Sequence, residues 1–294
     1  MHNQDSAHDP PQDYEALIRL IHERFDRMSK TYQSIAVYLT QNPNEVAIQS
    51  VTAIGARLGI HASSFVRFAQ ALGYNGFKEL QNLFQKRLAT AAPGFEARVK
   101  VLQSELHSRK DHSESGFLRD LVIKDIASLE KLLEEISQPD LAVAVDTIVE
   151  ARTVYLLGQL RSAPVVDLLR YVLTMVGKRC VLLDPGGGLA THMARLIGSG
   201  DVLVAVSFRF YATEVVNIVE ETGKRGVPIV AISDSTLSPL AKYSHVLFPV
   251  PEHDYTFSRS LAAPMCLAQA LVIAVAARLQ PGDATPRIPI VTSN

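Results

Sequence analysis

The first ninety residues carry apolar positions at helical spacing. Apolar residues recur three or four positions apart over 14–28 and again over 29–40, which predicts two amphipathic helices. Asn42-Pro43 ends the second helix, because proline lacks an N–H and restricts the residue before it. Further helices are predicted at about 44–48, 51–58, 62–72 and 76–90. This part of the sequence therefore indicates an all-helical domain.

From residue 153 the pattern changes to short apolar runs that alternate with helical segments. The predicted strands are 153–158, 179–184, 201–207, 227–234 and 245–250. Helical segments follow each of them, the last at 260–279. Five apolar strands alternating with helices are typical of a parallel, doubly wound α/β sheet. Ligands of such sheets bind beyond the carboxyl ends of the strands.

The two regions are joined by a polar stretch and a further helix. An amphipathic helix is predicted at 117–136, followed by another that runs to about Glu150. We expect the first helix to bury a stripe of apolar residues that includes Leu118, Leu121, Val122, Leu132 and Leu133. The predicted division is a disordered tail (1–14), a helical domain (15–90), a linker (91–116), an α/β domain (117–280) and a C-terminal tail (281–294).

Composition and charge narrow the possible classes of protein. The chain has 294 residues, is 47% hydrophobic and 20% charged, and has a net charge of −1, as ordinary soluble proteins do. Residues 15–90 hold nine Lys/Arg against five Asp/Glu, which favours contact with a polyanion. Residues 1–14 lack the apolar core of a signal peptide, and Pro264 and Gln269 interrupt the apolar run 261–279, so we expect a cytoplasmic protein without a membrane partner. Cys180 and Cys266 lie in apolar runs and are predicted to be core residues; no cofactor and no metal site are predicted.

The stretch 52–80 has the spacing of a helix-turn-helix. Gly59 suits the positive φ of a tight turn, and Gly55 allows the two helices to cross closely. The predicted small core is Ile54, Leu58, Ile60, Val66 and Leu72. The second helix would enter the major groove of double-stranded DNA with its first residues toward the bases.

The predicted DNA-contacting residues follow from this placement. They are His61, Ser63, Ser64, Arg67, Gln70 and Lys78. Arg67 can bond guanine bidentately, and Lys78, Lys86 and Arg87 would contact the DNA backbone. The alternative is a plain helical bundle in which Ser63 or Ser64 only caps a helix and Arg67 is solvated.

The run GIHASSFVRFAQALGYNGFKEL resembles the DNA-binding head of the RpiR family of bacterial transcriptional regulators. The matching positions are Gly59, Arg67, Phe68, Leu72, Gly73, Gly76 and Phe77. His61, Ser64 and Phe65 stand where the family usually has Ser, Thr and Val. Heads of the helix-turn-helix type would read the two half-sites of a pseudopalindromic operator, which requires at least a dimer; we expect a homodimer or a homotetramer.

Members of this family join the head to a sugar-isomerase (SIS) domain that binds phosphosugars, and residues 153–280 resemble such a domain. Gly158 and Ser162 match the family's first loop, and Ser207 and Glu214 match its third. Leu160, Arg209, Phe210 and Ala212 depart from it. Because Arg161 and Arg209 add cations, we expect the pocket to bind an anion, though in a geometry of its own. The predicted ligand-binding residues are Gly158, Arg161, Ser162, Ser207, Arg209, Tyr211, Thr213 and Glu214.

The combined prediction is a helix-turn-helix domain followed by a five-stranded SIS-type domain, in a DNA-binding regulator controlled by a phosphosugar or related anionic metabolite. Ligand binding would move the sheet domains through the linker near 91–115. One alternative is a SIS-type sugar-phosphate isomerase with a helical appendage, for which only Glu214 and His192 are placed to act as the base. Another is a binding protein that uses the head only to oligomerise. We favour a regulator that is not an enzyme.

Overall fold

A computed structural model describes residues 10–89, 113–209, 211–250 and 260–279, together with 99, 102–104, 106 and 107. We call residues 10–89 the head and residues 113–279 the sheet domain. Residues 1–9 of the predicted N-terminal tail (1–14), the predicted C-terminal tail (281–294) and most of the predicted linker lie outside the described residues. Tyr14, placed in the predicted tail, begins the first helix, and its buried ring packs against that of Phe84.

The head is a bundle of short helices around an aromatic core. The helices are α1 (Tyr14–Arg24), α2 (Lys30–Gln41), α3 (Pro43–Ile48), α4 (Val51–Leu58), α5 (Ala62–Ala71) and α6 (Phe77–Ala89). A short 3₁₀ turn, Phe25–Arg27, follows α1. Pro43 is the first residue of α3, where its missing N–H removes no helical bond.

The turn-forming glycines behave as predicted, and one predicted core residue was wrong. Gly59 ends α4 with a φ of +66°. Val66 is 37% exposed, whereas Phe65 and Phe68 are fully buried. Positions 65, 68, 69 and 72 share one face of α5, and residue 66 lies about 100° around the helix from residue 65. Phe65 and Phe68, which were not among the predicted core residues, therefore belong to the core of the head.

The sheet domain alternates strands and helices after two leading helices. Its elements are α7 (Glu114–Glu135), α8 (Gln138–Glu150), β1 (Val154–Gly158), α9 (Ala163–Met175), β2 (Cys180–Leu182), α10 (Ala190–Ala194), β3 (Val202–Ser207), α11 (Thr213–Lys224), β4 (Ile229–Ser233), β5 (Val246–Pro249) and α12 (Ala262–Leu279). Short 3₁₀ turns lie at Leu160–Ser162, Gly186–Gly188 and Ala241–Tyr243. The predicted strands are all present, each shorter than its apolar run.

Within the described residues, five parallel strands form one sheet in the order β2-β1-β3-β4-β5. Alternate residues face opposite sides: Val204 packs with α8, α9 and α12, and Ala205 packs with α10 and α11. Both faces are covered, which explains the nearly continuous apolar strands. The order reverses between β1 and β3, so the loops after these strands diverge and open a crevice at the carboxyl edge.

Helix α12, the two cysteines and the apolar stripe of α7 differ in their burial from what their sequences suggest. By its length and composition alone, helix α12 could cross a membrane. It packs instead against α7, α8 and α9, with seven of its residues buried. Cys266 on that helix is exposed and Cys180 is half-buried, so their prediction as core residues was wrong for Cys266. Leu118 (64%), Leu121, Val122 and Leu133 (84%) of the predicted α7 stripe are exposed, whereas Leu132 is buried, because only one side of α7 packs on the domain.

Candidate functional site

The corner between α4 and α5 presents α5 to solvent. Gly55 lies at the crossing, where an added Cβ would stand 2.5 Å from the carbonyl oxygen of Ile60. The N–H of Ile60 in turn donates to the carbonyl of Gly55 at 2.9 Å. These contacts fix the angle at which α5 leaves the turn, as the spacing of the glycines predicted.

Most of the residues predicted to contact DNA are accessible to solvent. His61, Ser63, Arg67, Gln70 and Lys78 are exposed, and Ser64 is half-buried. His61 is the N-cap of α5 but makes no side-chain capping hydrogen bond. The His61 side chain therefore does not occupy the N–H groups at the amino end of α5. Helix ends of this kind can bind phosphate, because their N–H groups and the helix dipole attract anions.

Arg87 was wrongly placed among the DNA backbone contacts. It is 6% exposed, and its guanidinium lies 5.1 Å from the ring centroid of Tyr14. It donates to Asn44 Oδ1 and to the main-chain carbonyl of Tyr211, each at 3.1 Å. The sequence could not show this, because the partners are 43 and 124 residues away.

At the carboxyl edge of the sheet, Glu214 joins the loops on either side of the crevice. Its carboxylate accepts from Gln159 Nε2 at 2.7 Å and from Thr191 Oγ1 at 3.0 Å. Glu214 and Thr213 lie in the first turn of α11, Gln159 follows β1, and Thr191 lies on α10. Gln159 and Thr191 were not predicted from the sequence; Gln159 directly follows β1, which was an available signal, whereas Thr191 lies nine residues beyond the end of β2.

The loop after β1 holds a strained backbone and a stacked arginine. Leu160, where the resembled family has glycine, has a φ of +55°. Arg161 stacks 4.7 Å from the ring centroid of Phe208 and donates to the carbonyl of Ser260 at 3.4 Å. Gly158 has little space for a side chain, since a Cβ there would lie 2.9 Å from Val166 Cγ1. Ser162 is buried at the start of α9.

The loop after β3 is bonded to the loop after β4. Ser233 Oγ donates to the carbonyl of Ser207 at 2.6 Å, and the hydroxyl of Tyr211 donates to Asp234 Oδ1 at 2.6 Å. Burial, together with Asp234, raises the pKa of Tyr211 well above its usual value. Ser207 and Arg209 are buried at the same edge. The predicted ligand residues thus gather at the carboxyl edge, where their role as ligands stays a prediction.

Two further residues were named for this edge in the sequence. His192, next to Thr191 on α10, is exposed. Phe210 lies outside the described residues.

Comparison with known proteins covers both domains. Residues 16–91 match the helix-turn-helix domain of the rpiR family, and residues 147–274 match the SIS domain. An uncharacterized HTH-type transcriptional regulator of Thermotoga maritima is 24% identical over 235 residues, which are 79% of this chain and 80% of that protein.

Two solved structures extend the comparison. The sugar isomerase domain of an RpiR transcription factor from Sphaerobacter thermophilus is 26% identical with a TM-score of 0.52, over 54% of this chain and 89% of that one. The Vibrio vulnificus NanR protein complexed with ManNAc-6P is 19% identical with a TM-score of 0.50, over 89% of this chain and 91% of that one, and shows likeness of fold. The chain therefore belongs to the RpiR family of transcriptional regulators, with an N-terminal helix-turn-helix domain and a C-terminal SIS domain.

Proposed function

We propose that α5 reads operator DNA and that the sheet domain binds a phosphosugar or related anionic metabolite that controls this binding. The observation that carries the proposal is the exposure of His61, Ser63, Arg67 and Gln70 on one helix at a glycine corner. A helix buried inside the bundle could not enter a groove. The protein acts in the cytoplasm, where its DNA is, and not as an enzyme.

The effector is proposed from the chemistry of the carboxyl edge. Arg161 precedes Ser162 and Arg209 follows Ser207 by two residues, so each loop carries a cation and a hydroxyl, a combination suited to phosphate or carboxylate. The structure of NanR, which shares the fold, is that of a complex with ManNAc-6P. Both carboxylate oxygens of Glu214 accept hydrogen bonds from neutral donors, which favours a positioning role over that of a catalytic base.

A second copy of the chain is proposed to cover the exposed face of α7. That face carries large apolar side chains, among them Leu118, Ile123, Ile126 and Leu133. Patches of this kind on soluble proteins mark interaction sites. A two-fold dimer would also present two heads to the half-sites of a pseudopalindromic operator.

The DNA proposal is tested by fluorescence anisotropy with a DNA fragment from upstream of the protein's own gene. Arg67→Ala is expected to weaken specific binding by about 5- to 150-fold, since a base-reading arginine contributes about 1–3 kcal/mol. The matched control is Arg170→Ala, an exposed arginine on α9 that pairs with Asp167. Equal affinity of Arg67→Ala and the control, or no change between two salt concentrations, contradicts groove reading by α5.

The effector proposal is tested by thermal stability against a panel of hexose 6-phosphates, N-acetylmannosamine 6-phosphate and their carboxylate analogues. At least one compound is expected to raise the Tm, because a ligand that binds only the folded state stabilises it. Calorimetric titration of that compound is then expected to show weaker binding to Arg209→Ala than to Arg170→Ala. Equal affinity removes Arg209 from the site, and no stabilisation by any compound counts against a phosphosugar effector.

A further inference from the structure

The head lies against the carboxyl edge of the sheet domain, where the effector is proposed to bind. The segments contacted are the loop after β3, the first part of α11 and the segment after β4. Hydrogen bonds across this contact include Arg87 Nη2 to the Tyr211 carbonyl (3.1 Å), Asn44 Nδ2 to Asn217 Oδ1 (3.1 Å), Lys242 Nζ to Asn42 Oδ1 (2.9 Å) and Gln41 Nε2 to the Thr236 carbonyl (3.5 Å).

Arg87 is the buried centre of this contact. Through one side chain it joins α6 to Asn44 at the start of α3, to the ring of Tyr14 on α1, and to the main chain of the β3–α11 loop. A buried hydrogen bond that involves a charged group contributes more than a neutral one, and its loss leaves a buried acceptor unpaired. The other bonds across the contact are made by more exposed side chains.

The loop that Arg87 holds is the loop that carries the proposed anion ligands. Arg209 and Tyr211 are two residues apart on it, and both are buried while the head is docked. His22 of α1 also lies close to this edge. Its pKa is lowered by burial, raised by Asp234 and lowered by Arg209, so the two sheet-domain groups act on it across the contact.

We propose that the docked head is autoinhibitory: an anion can reach the β3–α11 loop only when the Arg87–Tyr211 contact opens. Docking and anion binding then exclude one another, so a bound anion leaves the head free to change its orientation. Because only the undocked form binds the anion, a change that weakens docking raises the apparent anion affinity by at most the same factor. The inference rests on the proposed function, because it takes the carboxyl edge to be the effector site.

The first test measures docking without a ligand. Arg87→Gln removes the guanidinium, and Lys86→Gln makes the same change of charge at the neighbouring exposed position of α6. Hydrogen exchange of the full chain is followed at 42–46 and 234–240, on the two sides of the contact. We expect exchange in Arg87→Gln at least about tenfold faster than in Lys86→Gln, which corresponds to about 1.4 kcal/mol. Equal exchange in the two variants overturns the role of Arg87.

The second test measures linkage, using the phosphosugar panel on the same two variants. Arg87→Gln is expected to bind the best compound at least about fivefold more tightly than wild type, the lower end of usual coupling between sites. Lys86→Gln should match wild type. Equal or weaker binding by Arg87→Gln overturns autoinhibition and leaves the effector proposal standing. Absence of binding by wild type and Arg87→Gln overturns the effector proposal, and this inference with it.

Discussion

Replacement of Gly55 by alanine tests whether the glycine corner sets the position of α5. Gly55 lies within α4, where an added Cβ would stand 2.5 Å from the backbone oxygen of Ile60. Cβ atoms essentially never approach closer than 3.0 Å, so the turn must move by about half an ångström or more. The obstructing atom belongs to the main chain and cannot rotate away.

Two opposing effects decide how much Gly55→Ala changes the stability of the α4–α5 corner. Alanine in the interior of a helix is favoured over glycine by about 1 kcal/mol. Overpacking at a close contact costs about 1–3 kcal/mol. We therefore expect Gly55→Ala to lower the free energy of opening of the α4–α5 corner by about 1 kcal/mol. Operator affinity should fall at least about fivefold, because the movement reorients Arg67.

Hydrogen exchange at the amides of α4 and α5 measures the opening free energy of the corner directly. The control is Gly76→Ala, because an added Cβ at Gly76 meets nothing within 4 Å and its φ is not positive. The control should change stability by less than about 0.5 kcal/mol and leave operator affinity unchanged. Stabilisation of Gly55→Ala by about 1 kcal/mol with full operator affinity would refute the reasoning, since propensity alone would then explain the result.

Three further predictions concern the sheet domain and its contact with the head. Leu160→Gly should raise the Tm, since the φ of +55° is strained for leucine; an unchanged or lower Tm contradicts strain at this position. Because burial lowers the pKa of His22, the unfolded chain takes up a proton first as the pH falls below about 6.5, so the free energy of unfolding should decrease there. Urea unfolding at pH 7.5 and 5.5 should show this loss in wild type and a smaller one in His22→Gln; equal losses contradict it. Lys178→Met should lower the free energy of unfolding, measured with urea, by about 1–3 kcal/mol, because Lys178 Nζ donates to the carbonyls of Val149 and Ala151 at 2.6 Å each. An unchanged free energy of unfolding contradicts a role of Lys178 in capping the end of α8.

The elements of the fold were accessible from the sequence because their causes are local. Apolar runs predicted the strands, and the helical spacing of apolar residues predicted the helices of the head. Gly55 and Gly59 marked the corner, since a close crossing and a positive φ each require glycine.

The errors arose where the outcome depends on contacts distant in sequence. Arg87 looked like a surface cation by its position on α6, but it is buried among contacts with Tyr14, Asn44 and Tyr211, all distant in sequence. Gln159 and Thr191 meet Glu214 through the arrangement of the strands, which periodicity does not encode. The apolar stripe of α7 was read correctly as apolar, but its exposure depends on which elements pack beside it.

Control of DNA binding by the sheet domain is tested most directly by operator affinity with and without a bound effector. Fluorescence anisotropy would be recorded on the full chain at fixed salt, with the phosphosugar that raises the Tm most held at a concentration that calorimetry shows to be saturating. We predict that saturation changes the operator Kd by at least about fivefold, the lower end of usual coupling between sites. An operator Kd that stays the same while the sheet domain is demonstrably occupied would contradict control by this ligand.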